Sequence, residues 1–142
     1  MQKILISALA ALSMMCALPA AAQEAQGPVG VELNKFEEIE GGGCRLFFLF
    51  RNGSGLSFEG FEMSLAILDS NAVIDRLLSI DAAPLPVART TLKLFEIPDI
   101  TCGGISEILL HDMPSCQPQN AEQTDCFAFL ELGSKTTAAL VK

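Results

Sequence analysis

The 142-residue chain carries 17 acidic side chains against 9 basic ones, a formal net charge of −8, and half of it is apolar. Such acidity repels phosphate backbones and anionic lipid headgroups, which argues against nucleic acid as a partner. Trp and Tyr are both absent, which removes the rings on which carbohydrate-binding sandwiches commonly stack sugars.

The first 22 residues read as a secretory signal peptide. Lys3 gives a short positive start, Ile4 to Leu18 form an apolar stretch broken only by Ser7 and Ser13, and Pro19-Ala20-Ala21-Ala22 offers small residues for cleavage. The run is shorter than the ~20 residues a membrane-spanning helix needs, so removal rather than anchoring is expected. Cys16 follows the bulky Met15, a poor context for lipid attachment, and there is no twin-arginine pair. Export to the periplasm or beyond, with no stable membrane anchor, is the expectation. Loss of Lys3 would leave 8 basic against 17 acidic residues, a net charge of −9.

Residues 23–28 form a polar leader, and residues 29–142 suit a single domain. Four cysteines fall in that domain, Cys44, Cys102, Cys116 and Cys126. An even number in a short exported chain reads as a disulfide framework, and without a CxxC pair neither redox nor zinc chemistry has its usual spacing. A strand over Ile105 to His111, rising about 3.3 Å per residue, would hold Cys102 and Cys116 well beyond the ~6 Å that a disulfide spans. With Cys126 opening the returning strand, Cys44–Cys102 and Cys116–Cys126 are the expected pairs.

Strands are expected in sequence order as follows. Val29 to Ile39 alternates imperfectly, and Glu40-Gly41-Gly42-Gly43 turns the chain. Cys44 to Phe50 (CRLFFLF) reads as a buried strand, ended by Asn52-Gly53-Ser54-Gly55. Phe61 to Leu68 puts Phe61, Met63, Leu65 and Ile67 on one face. After the Asp69-Ser70-Asn71 turn, Val73 to Ile80 fits a hairpin partner better than a helix. Pro84 and Pro86 mark a connection outside any central ladder. Thr90 to Ile97, Ile105 to His111, Cys126 to Leu132 and Thr136 to Val141 complete the set, with a polar loop expected between His111 and Cys126. Seven or eight short strands predict an all-β sandwich, with an eight-stranded barrel as the competing closure.

The stretch from Cys44 to about Phe95 resembles the FxLYD-type immunoglobulin-like β-sandwich domains of exported bacterial proteins. The resemblance lies in LFFLFRNGSG, in MSLAILDSNAVI, and in the Pro-containing link to another strand. Ala66-Ile67-Leu68-Asp69 stands where those domains carry a Tyr, and the cysteines are an addition. The whole exported chain is also similar to small Gram-negative exported proteins of uncharacterised role. The resemblance implies an immunoglobulin-like sandwich and brings no catalytic residue.

Several constellations invite chemistry. His111-Asp112-Met113 resembles part of a periplasmic copper site, where imidazole and thioether suit Cu(I), and Met63 is a further thioether. Ser54 sits in Gly53-Ser54-Gly55, which lacks the GxSxG elbow of a hydrolase. Asp69-Ser70-Asn71 opens like a calcium loop but has neither the later glycine nor the glutamate. Phe58 and Phe61, beside the glycine-rich turn, could mark a partner surface if exposed. The reading is a non-enzymatic exported binding or accessory module with no cofactor, meeting a protein partner through a sheet edge or the Phe58/Phe61 region. A copper-binding protein using His111 and Met113 is the alternative.

Overall fold

The computed structural model describes residues 27–142. The signal peptide expected at residues 1–22 and most of the leader lie outside the described residues. Eight strands run β1 (Val29–Glu38), β2 (Gly43–Asn52), β3 (Phe58–Asp69), β4 (Ile74–Asp81), β5 (Thr90–Pro98), β6 (Ile105–Pro118), β7 (Leu130–Ser134) and β8 (Ala139–Val141). They form two four-stranded sheets, β5-β2-β1-β7 and β4-β3-β6-β8, and so a sandwich rather than a closed barrel. No helix among the described residues is long and apolar enough to cross a membrane.

Local chemistry sets the turns. Gly41 and Gly42 take φ of 92° and 106° between β1 and β2, a region that costs glycine little. Between β3 and β4, the Asp69 carboxylate accepts from the backbone N–H groups of Asn71 (2.8 Å) and Val73 (3.0 Å), closing the hairpin that the sequence predicts.

Alternation supplies the core. Val29, Val31 and Leu33 of β1, Leu46, Phe48 and Phe50 of β2, and Phe61, Met63, Leu65 and Ile67 of β3 are all buried between the sheets. Phe50 meets Phe61 edge-on at 6.1 Å between ring centroids, and Phe58 meets Phe61 at 5.5 Å. Each such ring contributes roughly 1.5–3 kcal/mol through burial.

Two disulfides join the pairs expected, Cys44–Cys102 with Cα atoms 4.9 Å apart and Cys116–Cys126 at 6.0 Å. The first ties β2 to the short 3₁₀ turn Cys102–Gly104 that carries the chain from one sheet to the other.

Two expectations need correction. β6 does not stop at His111 but continues through Pro118, pairing with β3 past register shifts between Glu62 and Leu65. β8 pairs with β6 only from Glu107 to Leu109, so Pro114 occupies a bulged stretch with a free flank, where a missing N–H breaks no ladder. Cys126 does not open a strand. It precedes the 3₁₀ turn Phe127–Phe129, and β7 begins at Leu130.

The crossing from β2 to β3 is organised by a buried polar hub. Asn52 and Ser54 are 4% and 2% exposed. The Asn52 amide donates to the carbonyls of Leu56 (2.7 Å), Leu85 (3.1 Å) and Pro86 (3.2 Å). Its Oδ1 accepts from the Ser54 N–H (3.1 Å) and hydroxyl (2.6 Å). The hub fixes both the exit of β2 and the connection from β4 to β5. Full satisfaction is what makes such burial tolerable.

Candidate interaction surface

The residues singled out for chemistry do not converge. His111 is exposed and its Nε2 lies 2.8 Å from the Ser64 hydroxyl, on the outer side of the second sheet. Met113 is half-buried and packs against the core, and Met63 is 1% exposed within it. Among the described residues no three His, Cys, Asp or Glu side chains are grouped to hold a metal. Ser54 has its hydroxyl committed to Asn52.

Phe58 and Phe61 require a correction. They are 1% and 0% exposed, so that region presents no aromatic surface. β3 turns both rings inward, Phe61 against Phe50 and Phe58 against Phe61.

The apolar surface lies elsewhere, on the outer face of the β5-β2-β1-β7 sheet. Leu92 and Leu94 of β5 are 52% and 49% exposed. They stand opposite Leu49 and Phe47 of β2, both half-buried, so four apolar side chains form one patch. Paired charges border it. Arg45 bonds Glu37 at 2.5 Å and Glu96 at 2.7 Å, Lys35 pairs with Glu37 at 3.2 Å, and Arg51 pairs with Glu32 at 3.3 Å. The Lys35 hydrogen bond, ahead of Arg45, holds the Glu37 carboxyl below the usual carboxylate range. The Asn34 amide, ahead of Arg51, does the same for Glu32. Glu96, ahead of Glu37, raises the Arg45 guanidinium above its ordinary value. These pairs are partly exposed to solvent and contribute more to shaping the face than to stability.

The patch continues to a sheet edge. β7 and β8, the terminal strands on one side, are 5 and 3 residues long, while β5 and β4 on the other are 9 and 8. Long edges are normally blunted, often by an inward-pointing charge. Lys93 stands opposite the buried Phe48 and therefore points inward, and Arg76 of β4 stands opposite the buried Ile67. Lys93 reaches the backbone of the β4–β5 connection, and Arg76 crosses to β5 of the other sheet. Lys93 Nζ donates to the Ala83 carbonyl at 2.8 Å, and Arg76 Nη1 donates to the Pro98 carbonyl at 2.7 Å. The open side of the sandwich is thus strapped by two cations whose charge is turned away from the β5 edge.

The outer face of the other sheet differs. Ile74 and Leu77 are exposed there, 57% and 64%, beside the carboxylates of Glu62, Asp81, Asp112 and Glu107. The larger hollows are open dishes, one of about 410 Å³ bordered by Arg51, Arg89 and Glu131.

Sequence reasoning missed Leu92 and Leu94 as surface residues. Thr90 to Ile97 has apolar residues on both faces, and the alternation of Leu92, Lys93 and Leu94 suggests a core on the leucine side. Phe95 and Ile97, facing inward with Lys93, set the opposite orientation.

No protein-family model matches the chain, and no curated protein matches it. Among solved structures, IrmA from Escherichia coli superposes with a TM-score of 0.58 at 11% identity, covering 75% of this chain and 92% of that one. At that identity the likeness concerns the fold: this chain and IrmA share a β-rich architecture.

Proposed function

We propose that this chain is an exported, non-enzymatic binding protein that meets a protein partner through β5 and the adjoining outer face. The observation that carries the reading is the patch of Leu92, Leu94, Phe47 and Leu49, continuous with a nine-residue edge strand. Exposed apolar side chains rimmed by charge are the usual composition of a protein contact. Export rests on the signal-type residues 1–22 and is supported by the two disulfides, which persist in oxidising compartments. The resemblance of Cys44 to Phe95 to FxLYD-type domains supports a module without chemistry of its own.

The reading is tested by photo-cross-linking in the producing cell. A photoreactive residue in place of Leu92 is expected to give a protein adduct, while the same residue in place of Asp81, on the other sheet, gives none. Equal adducts at both positions, or none at Leu92, would refute the assignment.

A further inference from the structure

Of the asparagines in the chain, only Asn52 is followed by glycine. Such a pair carries an internal reaction. The glycine nitrogen attacks the asparagine Cγ, the side-chain nitrogen leaves as ammonia with the proton of the glycine N–H, and a cyclic imide forms. Water then opens the ring at one carbonyl or the other, leaving aspartate or an isoaspartyl linkage. Glycine permits the closure most readily because no Cβ crowds the attacking nitrogen.

The fold calls for both residues. Asn52 supplies the donors and the acceptor at the centre of the buried hub. A Cβ on residue 53 would stand 2.9 Å from the Pro28 carbonyl oxygen, so glycine is what lets the chain lie against the start of β1. A dipeptide prone to cyclise is thus built into the crossing from β2 to β3.

In the closed structure every participant is held. The attacking nitrogen donates its N–H to the Pro28 carbonyl at 3.0 Å. The leaving amide donates to the carbonyls of Leu56, Leu85 and Pro86, and Oδ1 accepts from the Ser54 N–H and hydroxyl. The Asn52 backbone is fixed separately, its N–H donating to the Arg89 carbonyl at 3.0 Å and its carbonyl accepting from the Ala88 N–H at 3.1 Å. Cγ reaches the Gly53 nitrogen only if these contacts break. A side chain 4% exposed is also shielded from the solvent base that the attack needs.

From these locks we infer that Asn52-Gly53 is a modification site sealed by folding, which deamidates in copies whose hub opens and stays intact in closed ones. The change is one-way. A carboxylate at position 52 has no proton to donate, and it would set a charge among the carbonyls of Leu56, Leu85 and Pro86. An isoaspartyl linkage adds a methylene to the main chain and displaces Ser54 from its acceptor. Local opening therefore removes copies permanently from the folded pool, and the amide at position 52 records how long a copy has spent open.

The test holds the purified chain, both disulfides intact, at mildly alkaline pH in buffer and in guanidinium chloride, and reads each asparagine by peptide mass mapping. In denaturant Asn52 should convert fastest of the asparagines, and in buffer roughly a hundredfold more slowly or less still. The exposed Asn120 should convert at similar rates in both. Ser54→Ala removes the hydroxyl bonded to Oδ1 at 2.6 Å, so it should raise conversion in buffer several-fold and leave the rate in denaturant unchanged. Converted chains returned to buffer should unfold at lower denaturant than unconverted chains carried through the same steps. Conversion at Asn52 as fast in buffer as in denaturant overturns the inference. So does an unchanged rate in Ser54→Ala, or a converted chain with the unfolding midpoint of the unconverted one.

Discussion

The two outer faces of the sandwich are built from the same parts and dressed differently. Four of the five ion pairs among the described residues lie on the β5-β2-β1-β7 face, where Arg45, Lys35 and Arg51 neutralise Glu37, Glu96 and Glu32 around an apolar quartet. On the other face Glu62, Asp81, Asp112 and Glu107 make no ion pair with any described residue beside Ile74 and Leu77, and the pair nearby, Arg76–Asp75, lies within the edge strand. In a molecule of net charge −8, only the first face is close to neutral. An apolar patch is a usable contact only where the charge around it permits approach, and exposure alone would have favoured Leu77.

The comparison depends first on the interior that holds both faces apart. Phe48→Ala, which empties the centre of β2, is expected to cost about 3–5 kcal/mol in denaturant unfolding. Asn52→Leu should cost a similar ~3–5 kcal/mol, because the Leu56 and Pro86 carbonyls lose their Asn52 donor and the buried Ser54 N–H and hydroxyl lose their acceptor. A loss under ~1 kcal/mol in either would mean that the hub or the ring packing has been misread. Next is the Cys44–Cys102 bridge, with a sequence separation of 58. Its removal should cost about 4 kcal/mol by loop entropy, and removal of Cys116–Cys126, with a separation of 10, about 3. The ratio of the two losses is the informative quantity.

The surface substitutions sharpen the contrast itself. Leu92→Ser and Leu77→Ser should each change stability by less than ~0.5 kcal/mol. Yet Leu92→Ser should weaken binding at β5 and Leu77→Ser should not. Equal effects on binding would erase the distinction between the faces. The smallest effect concerns pH. A carboxyl held below its usual range contributes stability that is present above that range and lost as pH falls through it. Glu37→Gln should therefore flatten the acid limb of the stability profile slightly. An unchanged limb in Glu37→Gln would show that the Lys35 and Arg45 contacts are fully screened.

Much of this architecture was legible in the residues. Phe61 to Leu68 alternates cleanly, and the glycine and Asp-Ser-Asn turns carry their own chemistry. The rise of a strand excluded Cys102–Cys116, while the choice of Cys116–Cys126 leaned on a strand at Cys126 where the chain instead makes a 3₁₀ turn. Three things were not legible. Pro114 and Pro118 read as loop residues, because a proline says nothing about whether its strand has a bonded neighbour on that flank. The orientation of β5 was hidden because apolar residues occupy both of its faces, and Lys93 shares its face with Phe95 and Ile97, which turn in opposite Leu46 and Cys44 of β2. The location of the surface patch depends on which strands end up at the edges. That is set by the crossings at Asn52 and Pro84 to Pro86 rather than by any local pattern.

The straps at Lys93 and Arg76 have a mechanical meaning. A strand held only by its ladder can be peeled away one residue at a time when something pulls on its free side. β5 is instead clasped near its middle to the connection that follows β4, by Lys93 to the Ala83 carbonyl, and at its end to the opposite sheet, by Arg76 to the Pro98 carbonyl. A load applied at this edge is carried into both layers at once. Whatever docks on β5 takes hold of the whole sandwich rather than of one strand.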